Sequence, residues 1–164
     1  MDTRFERKFE GQAGKVEWLT PKYITDALVV FDLDPCSPIN RPWDTAKSHY
    51  TIEDDGLNKD WVGRVWCNPP YGTEAAAWLK KCAAHGNAMT LIFARTETKM
   101  FFDSIWQHAD GLKFLKGRVH FYNVDGTKSG PAGAPSVIVA FGEENAEIFK
   151  ISALKGHFLY NHKN

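Results

Sequence analysis

Asn68, Pro69, Pro70 and Tyr71 follow one another inside the stretch "VWCNPPYG", residues 65–72, directly after a strand-like run. Two successive prolines fix the backbone and remove two N–H donors, so nearby carbonyls are displayed without competing donors. The Asn68 side-chain oxygen and the Pro69 carbonyl then make a pair of acceptors matched to an NH2 group with two protons to donate. An aromatic amine is a poor nucleophile because its lone pair is delocalised into the ring. Two acceptors that favour a pyramidal nitrogen localise that pair toward an electrophile, with no strong base required. Tyr71 adds a flat face on which a base stacks, worth about 1–3 kcal/mol in comparable contacts. The competing reading is a proline-rich turn with a packed tyrosine.

The elements around this loop predict where it sits. "LTPKYITDALVV" reads as a helix with Thr20 as N-cap and Pro21 at its first position. "VVFDLDP" reads as a buried strand ending near Asp34, and "GRVWC" as a second strand. "TEAAAWLKKCAAHG" is the clearest helix, with a threonine cap and terminal Gly86. "AMTLIFA" is a third strand and "TETKMFFDSIWQHADG" a second good helix. "GLKFLKGRVHFY" and "PSVIVAFG" are strands around a polar loop, residues 123–135, and the segment after Gly142 reads as a helix packed on the sheet. This order predicts an α/β fold, a mostly parallel sheet with an antiparallel hairpin at its C-terminal end. In such sheets ligands sit beyond the carboxyl ends of the strands. "DPC", "NPPYG" and "ARTET" all fall there.

Composition bounds the partners. A chain of 164 residues with 43% hydrophobic content fits one domain. No apolar run is long enough to span a bilayer and the first residues lack a signal-peptide core, so no membrane association and a cytosolic protein are expected. Cys36, Cys67 and Cys82 show no C-x-x-C pairing, and the six histidines show no ligand spacing, so no metal site is expected. Lys plus Arg and Asp plus Glu both total 20, so any attraction to nucleic acid is local.

The blocks "EWLTPKYI", "DLDPCSP", "DDGLNKDW", "NPPYG", "FARTETKMFF", "GRVHF" and "APSVIVAF", in this order over about residues 16–141, resemble the phage-type DNA adenine-N6 methyltransferase family. The resemblance implies a single-domain, Rossmann-like class I methyltransferase fold with a trimmed sheet, covering residues 16–164 after an extension at 1–15, with no separate target-recognition domain. It implies S-adenosylmethionine as methyl donor, DNA as substrate and action in the cytoplasm of a bacterial host. A base inside a duplex cannot reach a donor in a pocket, so its target adenine is flipped out.

Residue by residue, Asn68, Pro69, Pro70 and Tyr71 match the family's catalytic loop. Leu19, Thr20 and Pro21 match the block beside the methionine end of the donor. Asp34, Pro35 and Cys36 match the segment where the first strand meets it, and Asp55 matches the acid for its adenine amine, ahead of Asp54. Phe121 is expected to pack against the flipped base or to be core. Arg95 and Arg118 are expected to bind phosphate or to be a solvated face. Loop 123–135 is expected to be mobile and to order on DNA, or to be a plain connection. One departure from the family pattern is that "DPCSPINRPWD" has no glycine-rich turn and no glycine follows until Gly56, which bears on close backbone approach to the donor. The short stretch between Asp34 and Asp55 leaves no room for the usual two strand–helix units, so a trimmed sheet is expected and Asp44 is the candidate for a ribose-binding acid. Methylation of RNA or of a protein amide, and a non-catalytic DNA- or nucleotide-binding module, are the alternatives.

Overall fold

The computed structural model describes residues 18–163. The expected extension at residues 1–15 lies outside them. Seven strands form one sheet: β1 Leu33–Asp34, β2 Ser48–His49, β3 Val65–Cys67, β4 Ala88–Phe93, β5 Gly111–Leu115, β8 Ser136–Phe141 and β9 Gly156–Tyr160. Their order is β2-β1-β3-β4-β8-β5-β9. The β2-β1-β3-β4 half is parallel, whereas β8 runs antiparallel to both β4 and β5 and β9 antiparallel to β5. Five of the seven strands therefore share one direction, and β8 and β9 run against them.

Alternation along the strands explains why both faces are dry. Val137, Val139 and Phe141 of β8 join Val65 and Cys67 of β3 in one apolar cluster, while Ile138 and Ala140 join Trp66, Met89 and Leu91 in the other. Side chains of period two facing both ways need helices on both sides. Helix α2, Ala75–His85, contributes Trp78, Leu79 and Cys82 to the first cluster. Helices α1, Lys22–Asp26, and α4, Glu143–Ile151, contribute Ile24, Ala146 and Phe149 to the second. Truncating a fully buried residue such as Leu79 to Ala costs roughly 2–5 kcal/mol.

Gly86 closes α2 in the left-handed conformation, φ 74°, and its N–H bonds the Cys82 carbonyl at 3.0 Å, as expected. Other boundaries differ from expectation. The first helix spans five residues with Pro21, not Thr20, at its N-cap, because the Thr20 hydroxyl accepts from the Trp66 indole at 3.1 Å instead. Val29 has φ 68° and, like Val30, is exposed, so the first strand shrinks to Leu33–Asp34. Helix α2 is capped at Glu74 rather than Thr73, without a side-chain bond. Helix α3, Lys99–Phe101, starts at Thr98, whose hydroxyl accepts from the Phe101 N–H, but widens into a π-helix over Phe102–Trp106.

The expected antiparallel pairing of the later strands is present between β5 and β8, but not as a simple hairpin. Strand β8 inserts between β4 and β5, and the true hairpin, β6 His120–Tyr122 with β7 Lys128–Pro131, forms a separate two-stranded sheet. Residues 123–135 accordingly contain a strand rather than one continuous loop. The C-terminal segment is the expected helix α4 but then returns as β9 at the sheet edge. No helix among the described residues is long and apolar enough to cross a membrane.

Candidate active site

Parallel strands β1 and β3 deliver their following loops to the same end of the sheet, and a cavity of about 410 Å³ opens between those loops. That volume falls in the ~300–1,000 Å³ range of small-molecule and cofactor sites. Pro35 and Cys36 form one wall, Asn68, Pro69, Pro70 and Tyr71 a second, and Asp55 with Gly56 and Leu57 a third.

Asn68 is only 9% exposed, and its Oδ1 has no hydrogen-bond partner among the described residues. A buried acceptor left unpaired costs about 1–3 kcal/mol and requires an explanation; a donor that arrives with a ligand is one. Tyr71 lies flat on Phe93, ring centroids 4.2 Å apart and planes 4° from parallel, with Phe121 edge-on at 6.0 Å. Its hydroxyl is buried without a partner among the described residues, and burial pushes the phenol far above its ordinary range.

Asp34 is buried and does not line the cavity. One carboxylate oxygen accepts the Cys36 N–H at 3.0 Å and the other accepts the Thr45 hydroxyl. Burial raises its pKa to about 6, against these two bonds and Arg41, which lower it. Asp34 thus shapes the turn that presents Pro35 and Cys36. Asp55 does reach the wall, in a left-handed conformation at φ 56°, and accepts from Asn58 Nδ2 at 2.6 Å. Asp54 turns away to bond the Thr51 N–H at 2.8 Å, which holds its carboxyl below the ordinary range.

The missing glycine after β1 has a spatial counterpart. A Cβ on Gly56 would lie 2.1 Å from the Pro35 carbonyl oxygen, so a residue with no side chain lets the two loops meet.

Several expected residues are not at the cavity. Leu19 pairs with Tyr122 across an isolated bridge, the Thr20 carbonyl accepts from the Trp43 indole, and Pro21 starts α1; Trp18, one residue earlier, lines the wall instead. Phe121 is 5% exposed on β6 and backs Tyr71. Arg95 follows β4 on the surface, and Arg118, also exposed, donates to the Ala132 carbonyl at 3.2 Å. Asp44 is exposed and pairs with Arg41 at 3.0 Å, away from the cavity.

Glu74 and Trp78 line the cavity and were missed. Their spacing of four on a helix leaving the Asn-Pro-Pro-Tyr loop was the available signal. No group of three or more His, Cys, Asp or Glu among the described residues is arranged to hold a metal.

The cavity fits a nucleoside with an amine. Ile52, Leu57 and Pro38 offer apolar surface, Asp55 an acceptor beside it, and the Asn68 oxygen, unpaired among the described residues, a second polar point. The sequence model of the family described as DNA N-6-adenine-methyltransferase (Dam) matches residues 11–162. No curated protein and no solved structure matches the chain.

Proposed function

Because the chain belongs to the DNA N-6-adenine-methyltransferase (Dam) family, we propose that it transfers a methyl group from S-adenosylmethionine to N6 of an adenine flipped out of DNA, with the Asn68–Tyr71 loop holding the amine. The fold is then a Rossmann-like class I methyltransferase arrangement with a trimmed sheet, and residues 16–164 are one domain.

The observation that carries this reading is the buried Asn68 Oδ1 at the cavity wall, unpaired among the described residues. Together with the Pro69 carbonyl it accepts the two N6 protons. That geometry draws the nitrogen lone pair out of the ring, so the stabilisation grows as charge develops on nitrogen. Tyr71, backed by Phe93 and Phe121, steadies the base. Asp55 accepts the amine of the donor's own adenine, and Pro35 and Cys36 border the donor from the β1 side. When bound, S-adenosylmethionine supplies an electrophilic methyl and a neutral thioether leaving group. The methylated nitrogen is acidic enough to give its proton to water, so no residue of the loop acts as a strong base.

The test uses donor with an isotopically labelled methyl group and adenine-containing DNA, followed by digestion to nucleosides and mass spectrometry. Labelled N6-methyldeoxyadenosine is expected. DNA that carries no label, or carries it on cytosine, contradicts the proposal. Donor binding by calorimetry with no label in DNA would point to the binding-module alternative.

A further inference from the structure

Helix α2 runs on one turn past Trp78, the last of its residues to line the cavity, and there Lys81 occupies the next position on the Glu74–Trp78 face. Lys81 does not line the cavity. Its ammonium donates to the Leu57 carbonyl at 2.7 Å and to the Lys59 carbonyl, and sits 5.0 Å from the centroid of the Trp61 ring. Trp61 in turn donates its indole N–H to the Gly56 carbonyl at 2.9 Å and stacks on Trp78 with centroids 6.3 Å apart. The carbonyls of Gly56, Leu57 and Lys59 are thus gripped by two side chains, one of them on α2.

The gripped turn is the one that carries Asp55, and it has reason to need support. A non-glycine residue in the left-handed region costs free energy that surrounding contacts must offset. The turn is also wedged against the β1 loop, where Gly56 meets the Pro35 carbonyl. An ammonium can supply that support, because three donors on a flexible stem serve two carbonyls and still face the aromatic ring.

We propose that Lys81 is a positioning residue for the methyl donor, clamping the 55–59 turn so that Asp55 stands ready at the cavity wall. This deepens the proposed function, on whose assignment of Asp55 to the donor's adenine amine it rests. It also means that one helix both leaves the amine-holding loop and fixes the donor-holding turn.

The experiment compares the full chain with Lys81→Met, Lys81→Arg, Asp55→Ala and the Lys81→Met/Asp55→Ala double variant. Lys81→Gln, whose shorter uncharged side chain keeps two N–H donors, replaces Lys81→Met should the latter not fold. Hydrogen exchange in the donor-free protein reports on the turn itself, whose Asn58 N–H bonds the Asp55 carbonyl at 2.9 Å. Exchange at Asn58 should quicken in Lys81→Met and recover in Lys81→Arg. Calorimetric titration with S-adenosylmethionine should show affinity lowered about tenfold or more in Lys81→Met, the scale of a lost charged hydrogen bond. Turnover at saturating donor should stay at the parent's value, and the double variant should bind no more weakly than Asp55→Ala alone.

Parent-like exchange in Lys81→Met overturns the clamp. Parent-like donor affinity, or losses from Lys81→Met and Asp55→Ala that simply add, overturn its role toward the donor. A parent chain that takes up no S-adenosylmethionine overturns that role together with the proposed function, while the exchange result still decides the clamp.

Discussion

Tyr71 rests face to face on Phe93, 4.2 Å between ring centroids, with its hydroxyl buried and unpaired among the described residues. One face of the loop's tyrosine is therefore already committed to the protein, and the ring is held as a shelf at the cavity edge.

From this follows the behaviour of two variants. Tyr71→Phe removes a buried hydroxyl that bonds nothing among the described residues, so it should stabilise the fold by up to about 1–3 kcal/mol while the ring still supports turnover. Tyr71→Ala removes the shelf and should cost about 3–5 kcal/mol, comparable with other buried aromatic truncations. Thermal melts beside methylation rates check both. A Tyr71→Phe protein with a lowered melting temperature would mean that the hydroxyl has a partner.

Asp34 gives a pH signature. Burial lifts its pKa to about 6 from an ordinary 3.8, so the folded state holds the proton longer than the unfolded chain. The resulting contribution to stability is complete below pH 3.8 and is lost as pH rises through about 6. Asp34→Asn should flatten the stability curve across that window in denaturant titrations at several pH values. An unchanged slope would mean that Asp34 does not titrate there.

The outer arginines bear on DNA. If Arg95 and Arg118 contact phosphates, alanine at either should weaken binding on every sequence and shallow the salt dependence by about one ion each. Donor affinity should not change, since neither lines the cavity. A mutant with the parent's affinity and salt slope belongs to a solvated face.

What the sequence made legible were features with a local cause. Gly86 stops a helix because of its own conformational freedom, and the two prolines constrain their own backbone wherever the chain goes. Strand β4 is nearly all apolar because both its faces are covered, which is readable without knowing by what. Features set by distant partners were not legible. Thr20 has the makings of a cap, but Trp66, 46 residues away, holds its hydroxyl. Val29 and Val30 read as strand by propensity, yet they lie exposed ahead of a two-residue β1. The resemblance places Asp34 beside the donor, but its bonds to Thr45 and Cys36, which hold it buried off the cavity wall, depend on the fold. Gly56 lies 21 residues past Pro35 along the chain, yet in space it abuts the Pro35 carbonyl.

The most direct measurement is single-turnover methylation of adenine-containing DNA by Asn68→Ala, with thermal melts and donor titration on the same preparation. Asn68 Oδ1 bonds nothing among the described residues, so its loss should leave the melt and donor affinity near the parent's. The chemical step should slow by about 10²–10³-fold, the scale of removing one group aimed at developing charge. A folded, donor-binding Asn68→Ala protein that methylates adenine at the parent's rate would contradict the account.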